Sequence, residues 1–254
     1  RNTTESLNLI ARSYGETHLK KGDHIVITIA EHHANLVTWQ RVAHQTGAIL
    51  DYIYVDKKTG HFLEKDLDKI NDTVKIVAFA QVSNVLGVAF DPRPLIRRAH
   101  AVGAVAVLDG AQSAPHRRVD VQDLDCDFFA FSGHKMCACG GIGVLYGKEE
   151  LLNDMEPFNL GGDMIEEVRE QSTDFAELPA KFEAGTQNVE GAVSLAAAIR
   201  YLNEIGFDEI QKQERKLVTA AIEGMKKIPH IHIIGTDNPE EKEGLVAFTI
   251  DDVH

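Results

Sequence analysis

Asp127-Phe128-Phe129-Ala130-Phe131-Ser132-Gly133-His134-Lys135 is the segment from which the rest of the chain can be read. The apolar run Phe128 to Phe131 has the length and character of a short buried strand, broken at Gly133. It presents Ser132, His134 and Lys135 at its carboxyl end, and open α/β sheets hold ligands outside the carboxyl ends of their strands. Lysine has a chemistry there that arginine lacks: once desolvated it loses its proton and condenses with an aldehyde to a Schiff base. Taken alone, a lysine after a strand is more often a surface residue. The segment upstream alters that balance.

Val105 to Leu108 is a second uninterrupted apolar run, and it ends in Asp109-Gly110-Ala111-Gln112-Ser113. A carboxylate at the end of a buried parallel strand is well placed to face a cationic ring nitrogen. Pyridoxal phosphate requires two such groups, a lysine for its aldehyde and an acid for its pyridinium nitrogen. Asp-Gly also marks ordinary turns, so Asp109 and Lys135 say more as a pair than either does singly.

Around these two residues lie Asp109-Gly110-Ala111-Gln112, Asp125-Cys126-Asp127-Phe128 and Ser132-Gly133-His134-Lys135. With Thr3-Thr4-Glu5, Glu31-His32-His33-Ala34-Asn35, Val82 to Gly87 and Phe182 to Thr186, they run in the order of the group II (SufS-type) cysteine desulfurases, and the chain resembles that family over nearly its whole length. The resemblance implies an α/β fold of the fold-type I pyridoxal-phosphate class, with a mostly parallel central sheet flanked by helices. It implies a large cofactor domain over residues 1–199 and the beginning of a small α+β C-terminal domain over 200–254. It also implies more chain at both ends, so the sequence is expected to be partial.

The resemblance assigns roles residue by residue. Thr4, Ser132 and His134 are expected on the cofactor phosphate, with Thr186 reaching the phosphate of the neighbouring subunit in a homodimer. His32 stacks on the ring, Asp109 keeps its nitrogen protonated, Gln112 meets its phenolic oxygen and Asn84 lies beside substrate and cofactor. Lys135 anchors the cofactor and moves the Cα proton. The implied reaction takes sulfur from L-cysteine, leaving L-alanine and an enzyme persulfide that passes to a SUF-system acceptor for iron–sulfur cluster assembly. In the family the nucleophilic cysteine and the arginine for the substrate carboxylate lie C-terminal to the segment present here, and none of Cys126, Cys137 or Cys139 matches the nucleophile motif. A selenocysteine lyase or another β-eliminating lyase of the same fold is the alternative reading, and a truncated non-catalytic chain is a third.

Composition narrows the classes. Lys plus Arg is 26 against 39 Asp plus Glu, a net charge of −13, which argues against general binding to nucleic acid or anionic membranes. No apolar run is long enough to span a bilayer, and three cysteines give no disulfide framework, so a cytoplasmic location is expected.

In chain order, Asn2 with Glu5 has capping spacing ahead of a stripe of Leu7, Ile10 and Tyr14. Strands are expected at Ile25–Ile29, Ile49–Val55, Lys75–Ala80, Val105–Leu108 and Ile142–Tyr146. Helices are expected at about 34–46, 63–70, 92–102, 189–204 and 207–226, and Glu166 to Ala180 reads as a polar connection. Adjacent His32 and His33 lack metal-binding spacing, and Cys137-Ala138-Cys139 with remote Cys126 is a weak zinc pattern, so no metal is expected. The family's Gly-Pro-Thr-Gly-Ile-Gly is replaced by Ala138-Cys139-Gly140-Gly141-Ile142-Gly143, which leaves the geometry of the loop beside Lys135 open.

Overall fold

The computed structural model describes residues 1–253. Its centre is a six-stranded sheet of β1 (His24–Thr28), β2 (Ile49–Ile53), β3 (Val74–Ala80), β4 (Val105–Asp109), β5 (Phe128–Ser132) and β6 (Gly143–Gly147), in the order β2-β1-β3-β4-β5-β6. All neighbours are parallel except β6, which runs antiparallel to β5 with Ser132 opposite Gly143. The mostly parallel α/β fold expected from the sequence is therefore observed.

The apolar runs follow from burial on both faces. Val26, Val77, Phe79, Ala106, Leu108 and Phe129 pack into one core, under α4 (Arg93–Ala101) and parts of α7 (Val189–Ile205) and α8 (Phe207–Met225). Their alternates Ile25, Ile27, Ile76, Ala78, Val107 and Phe128 pack into the other. That second core lies under α1 (Thr3–Leu9), its π-helical continuation Ile10–Gly15, the helical turn α2 (Glu16–His18) and α3 (Val37–Thr46). A period of two splits one strand between two cores, so neither face tolerates a polar residue.

Gly47 ends α3 in the left-handed conformation, at φ 75°, where a side chain would be strained. Short α5 (Val121–Leu124) links β4 to β5, and α6 (Glu149–Asp154) follows β6. The stripe expected near the N-terminus is present: Leu7 and Ile10 are fully buried. The segment expected as a helix over 63–70 is instead a 3-10 turn, Glu64–Lys69. Its Asp66 carboxylate accepts the Tyr54 N–H at 2.8 Å, which ties the turn to the chain after β2 and stops it lengthening. The polar connection contains an unexpected hairpin, β7 (Ile165–Val168) and β8 (Thr173–Phe175), exposed along most of its length. Helix α8 leads to an antiparallel pair, β9 (Ile231–Ile233) and β10 (Phe248–Ile250).

This C-terminal pair is tied back to the body. Lys242 Nζ donates to the Leu86 carbonyl at 2.7 Å, Glu243 N to Gly87 O at 2.9 Å, and Arg117 forms a close ion pair with Glu243. Among the described residues no helix is long and apolar enough to cross a membrane.

Candidate active site

Because β1, β3, β4 and β5 are parallel, their carboxyl ends lie along one edge of the sheet. The order reverses between β1 and β3, and such a reversal opens a crevice at the carboxyl ends. Along that edge the chain places Glu31 and His32 after β1, Asn84 after β3, Asp109 at the end of β4 and Lys135 just past β5. Segments far apart in sequence therefore meet by topology alone.

Asp109 is the buried member, 4% exposed. One carboxylate oxygen accepts the Ala111 N–H at 2.9 Å. Burial pushes this carboxyl above the usual range; the Ala111 hydrogen bond and the positive charge of nearby Lys135 and His32 oppose the rise. A buried carboxyl with one hydrogen bond is suited to a cationic N–H donor. Gly110 follows because nothing larger fits: a Cβ there would enter the Phe129 ring. Gln112, half-buried, comes two residues later on the same turn.

Lys135 is half-buried in a 3-10 turn, Gly133–Lys135, while His134 beside it is exposed. Ser132 closes β5 and is held by the first turn of α1. The Thr3 N–H donates to its Oγ at 2.8 Å, and the two hydroxyls lie 2.7 Å apart. Asn2 caps that helix, accepting the Glu5 N–H at 2.9 Å. Gly143 is required here, since a Cβ would stand 2.6 Å from the Asn2 Cα. Thr4, the sequence-predicted phosphate contact, is exposed at this helix start, whereas Thr3 is buried against Ser132.

His32 is exposed, and its Nδ1 accepts the Ala34 N–H at 3.1 Å. Asn84 Oδ1 is buried without a hydrogen-bond partner. An unpartnered buried acceptor is costly and marks a place for a donor. Thr186 is exposed, ahead of α7.

The loop after Lys135, where the sequence departs from the family pattern, is fastened to α7. Asn188 Nδ2 donates to Gly141 O at 2.9 Å and Cys139 N to Ser194 Oγ at 2.9 Å. Cys137 is exposed in the left-handed region, at φ 64°. Cys126 is buried; burial, and then the charge of Asp127, push its thiol up to about 12. It is an inert core residue. Among the described residues no group of three or more His, Cys, Asp or Glu is placed to hold a metal.

Sequence reasoning missed one member. Glu31, 9% exposed, accepts hydrogen bonds from Thr28 Oγ1, from Asn35 Nδ2 at 2.7 Å and from the Ala80 N–H at 3.1 Å. Burial raises its carboxyl to about 8, with the neighbouring Asp109 charge adding to the rise. The i, i+4, i+8 spacing of Glu31, Asn35 and Trp39 was the available signal.

A doubly wound sheet that presents a lysine and a buried acid at adjacent strand ends defines a class of enzymes that grip a planar, aldehyde-bearing ring. The chain belongs to the aminotransferase class-V family, whose profile matches residues 1–254. It is 48% identical to a probable cysteine desulfurase of Halalkalibacterium halodurans, over 100% of this chain and 62% of that protein. It superposes on the cysteine desulfurase CsdA of Escherichia coli with a TM-score of 0.93 at 41% identity, covering all of this chain and 63% of the other. A cysteine desulfurase from Thermococcus onnurineus gives 0.93 at 42% identity, again with 63% of that chain covered. The chain thus spans about three fifths of the length of the relatives it matches.

Proposed function

We propose that this chain forms the cofactor-binding part of a pyridoxal-phosphate-dependent cysteine desulfurase, which converts L-cysteine to L-alanine and passes the sulfur to an acceptor protein of the SUF system. The observation that carries the reading is the pairing of buried Asp109 with Lys135 at the ends of adjacent strands. The donor set fits the cofactor: Asp109 lacks a cationic hydrogen-bond donor, and Asn84 Oδ1 lacks any donor. Ser132, Thr4 and His134 would hold its phosphate.

When bound, pyridoxal phosphate supplies an aldehyde for covalent capture of amines and a ring that withdraws electrons from the substrate Cα. The protein's residues do the rest. Lys135 Nζ would be the residue that anchors the cofactor and, when free, the base that takes the Cα proton. Asp109, dry and held by Ala111, keeps a proton on the ring nitrogen. His32 would cover one ring face, and Gln112 would donate to the phenolic oxygen. The thiolate that attacks the substrate sulfur comes from the remainder of the protein. Thr186, exposed ahead of α7, would reach a neighbouring subunit's phosphate in a homodimer. Residues 1–199 form the large domain, and 200–254 begin the small one.

The test is a visible absorption spectrum of the full-length protein before and after borohydride, followed by peptide mapping. A band bleached by reduction, with the cofactor fixed on Lys135, is expected. Lys135→Ala should abolish the adduct while leaving the melting curve intact. A wild-type yield of adduct in that variant would sink the assignment.

A further inference from the structure

Glu31 is the one buried carboxyl of the crevice to which the mechanism gives no task. Its partners form a chain with a fixed direction. Trp39 Nε1 lies 2.8 Å from Asn35 Oδ1, and both residues are fully buried. An indole N–H can only donate, so the amide oxygen of Asn35 must face it and the amide nitrogen must face Glu31. Glu31 Oε2 is therefore an acceptor. Oε1 accepts the N–H of Ala80, and Ala80 is the cross-strand register partner of Asp109. The backbone N–H of Asn35 closes the turn on His32 O at 2.8 Å, so the segment that carries His32 is clamped at both ends.

We propose that Glu31 is the positioning residue of this site: through the directional chain Trp39–Asn35–Glu31–Ala80 it fixes His32 and Asp109 relative to one another. The inference rests on the reading of the crevice as a pyridoxal phosphate pocket, since His32 and Asp109 are the groups that grip the ring there. Only a carboxyl fits the position. Glutamine in either orientation turns an N–H against another N–H, that of Asn35 or that of Ala80. A carboxyl presents an acceptor oxygen to each of these N–H donors, and its Oε1 accepts from the Thr28 hydroxyl as well.

The experiment uses the full-length protein as wild type, Glu31→Gln and Thr28→Val, with pyridoxal phosphate as the probe. It reads cofactor affinity, the visible circular dichroism of the bound cofactor, and apo-protein melting. Visible dichroism reports how the ring is held, and a purely structural role would leave it unchanged. In Glu31→Gln, roughly tenfold weaker cofactor binding is expected, the loss of about one hydrogen bond. An altered dichroic band should accompany it, with the apo protein still folded. Thr28→Val should act in the same direction with smaller size. Affinity and dichroism of Glu31→Gln equal to wild type would overturn the inference and leave the proposed function standing. If Glu31→Gln does not fold, Thr28→Val decides, and wild-type behaviour there overturns the inference equally. A wild-type protein that binds no cofactor would overturn both readings together.

Discussion

A buried acid that prefers its proton leaves a signature in stability. Glu31 is raised from 4.5 to about 8, first by burial and then by the nearby Asp109 charge. The sign follows from proton counts: between those two values the folded state holds the proton and the unfolded state has lost it. The contribution of Glu31 is thus complete below about pH 4.5, declines as pH rises toward 8 and is flat beyond it. Asp109, also raised by burial, adds to the decline from the acid side. Urea midpoints of the wild type should fall across this window, and Glu31→Gln should show a shallower fall whatever its absolute stability. Parallel slopes would mean that Glu31 is ionised in the fold. At this scale Asp109 and Lys135 were legible because each ends an unbroken apolar run, which fixes both strand and edge. Glu31 was not, because the bond that ties it to the sheet comes from Ala80, 49 positions along the chain.

Among the elements, the seat of α1 on the end of β5 is held by a glycine. A methyl group at Gly143 would press on the Asn2 backbone at 2.6 Å and on Phe131 O at 2.8 Å, neither of which can rotate away. Gly143→Ala should lift the helix start from Ser132 and weaken pyridoxal phosphate binding, with overpacking costing about 1–3 kcal/mol. Thermal melting and cofactor titration of the variant check both effects. The loop after Lys135 offers the opposite change. Cys137 occupies a left-handed conformation that glycine adopts freely, so Cys137→Gly should stabilise the protein by about 1 kcal/mol, readable in denaturant midpoints. The central strands could be read from sequence because both their faces are buried. The β7–β8 hairpin could not, since its residues are largely exposed and no apolar alternation marks it. The turn at Glu64–Lys69 was taken for a longer helix because the tie from Asp66 to Tyr54 has no local signature.

Across the whole molecule, the C-terminal pair of strands and the α/β body are joined by few but well-buried polar links. Arg117 and Glu243 form the ion pair among them, with side chains 26% and 9% accessible. Removing one partner strands the other's charge. Glu243→Gln should therefore destabilise by roughly 1–3 kcal/mol, less than the 3–5 kcal/mol typical of a fully buried pair because Arg117 keeps some solvent. The melting curve should broaden or split as the C-terminal unit loosens first, and a single transition shifted as a whole would show the two parts to be one cooperative unit. None of this coupling was visible in sequence, because its partners lie far apart along the chain and carry ordinary surface residue types.

The bond between Thr3 and Ser132 spans 129 positions of sequence, which sets an order of events on the ribosome. Helix α1 emerges before the apolar strands that Leu7, Ile10 and Ala11 face. Its seat is finished only when β6 has been made and Gly143 has slipped beneath Asn2. Throughout that interval the nascent chain carries an uncovered greasy stripe, the condition that recruits chaperones and invites misassociation. The crevice therefore cannot mature in step with translation, and it closes only after more than half of this chain has been synthesised.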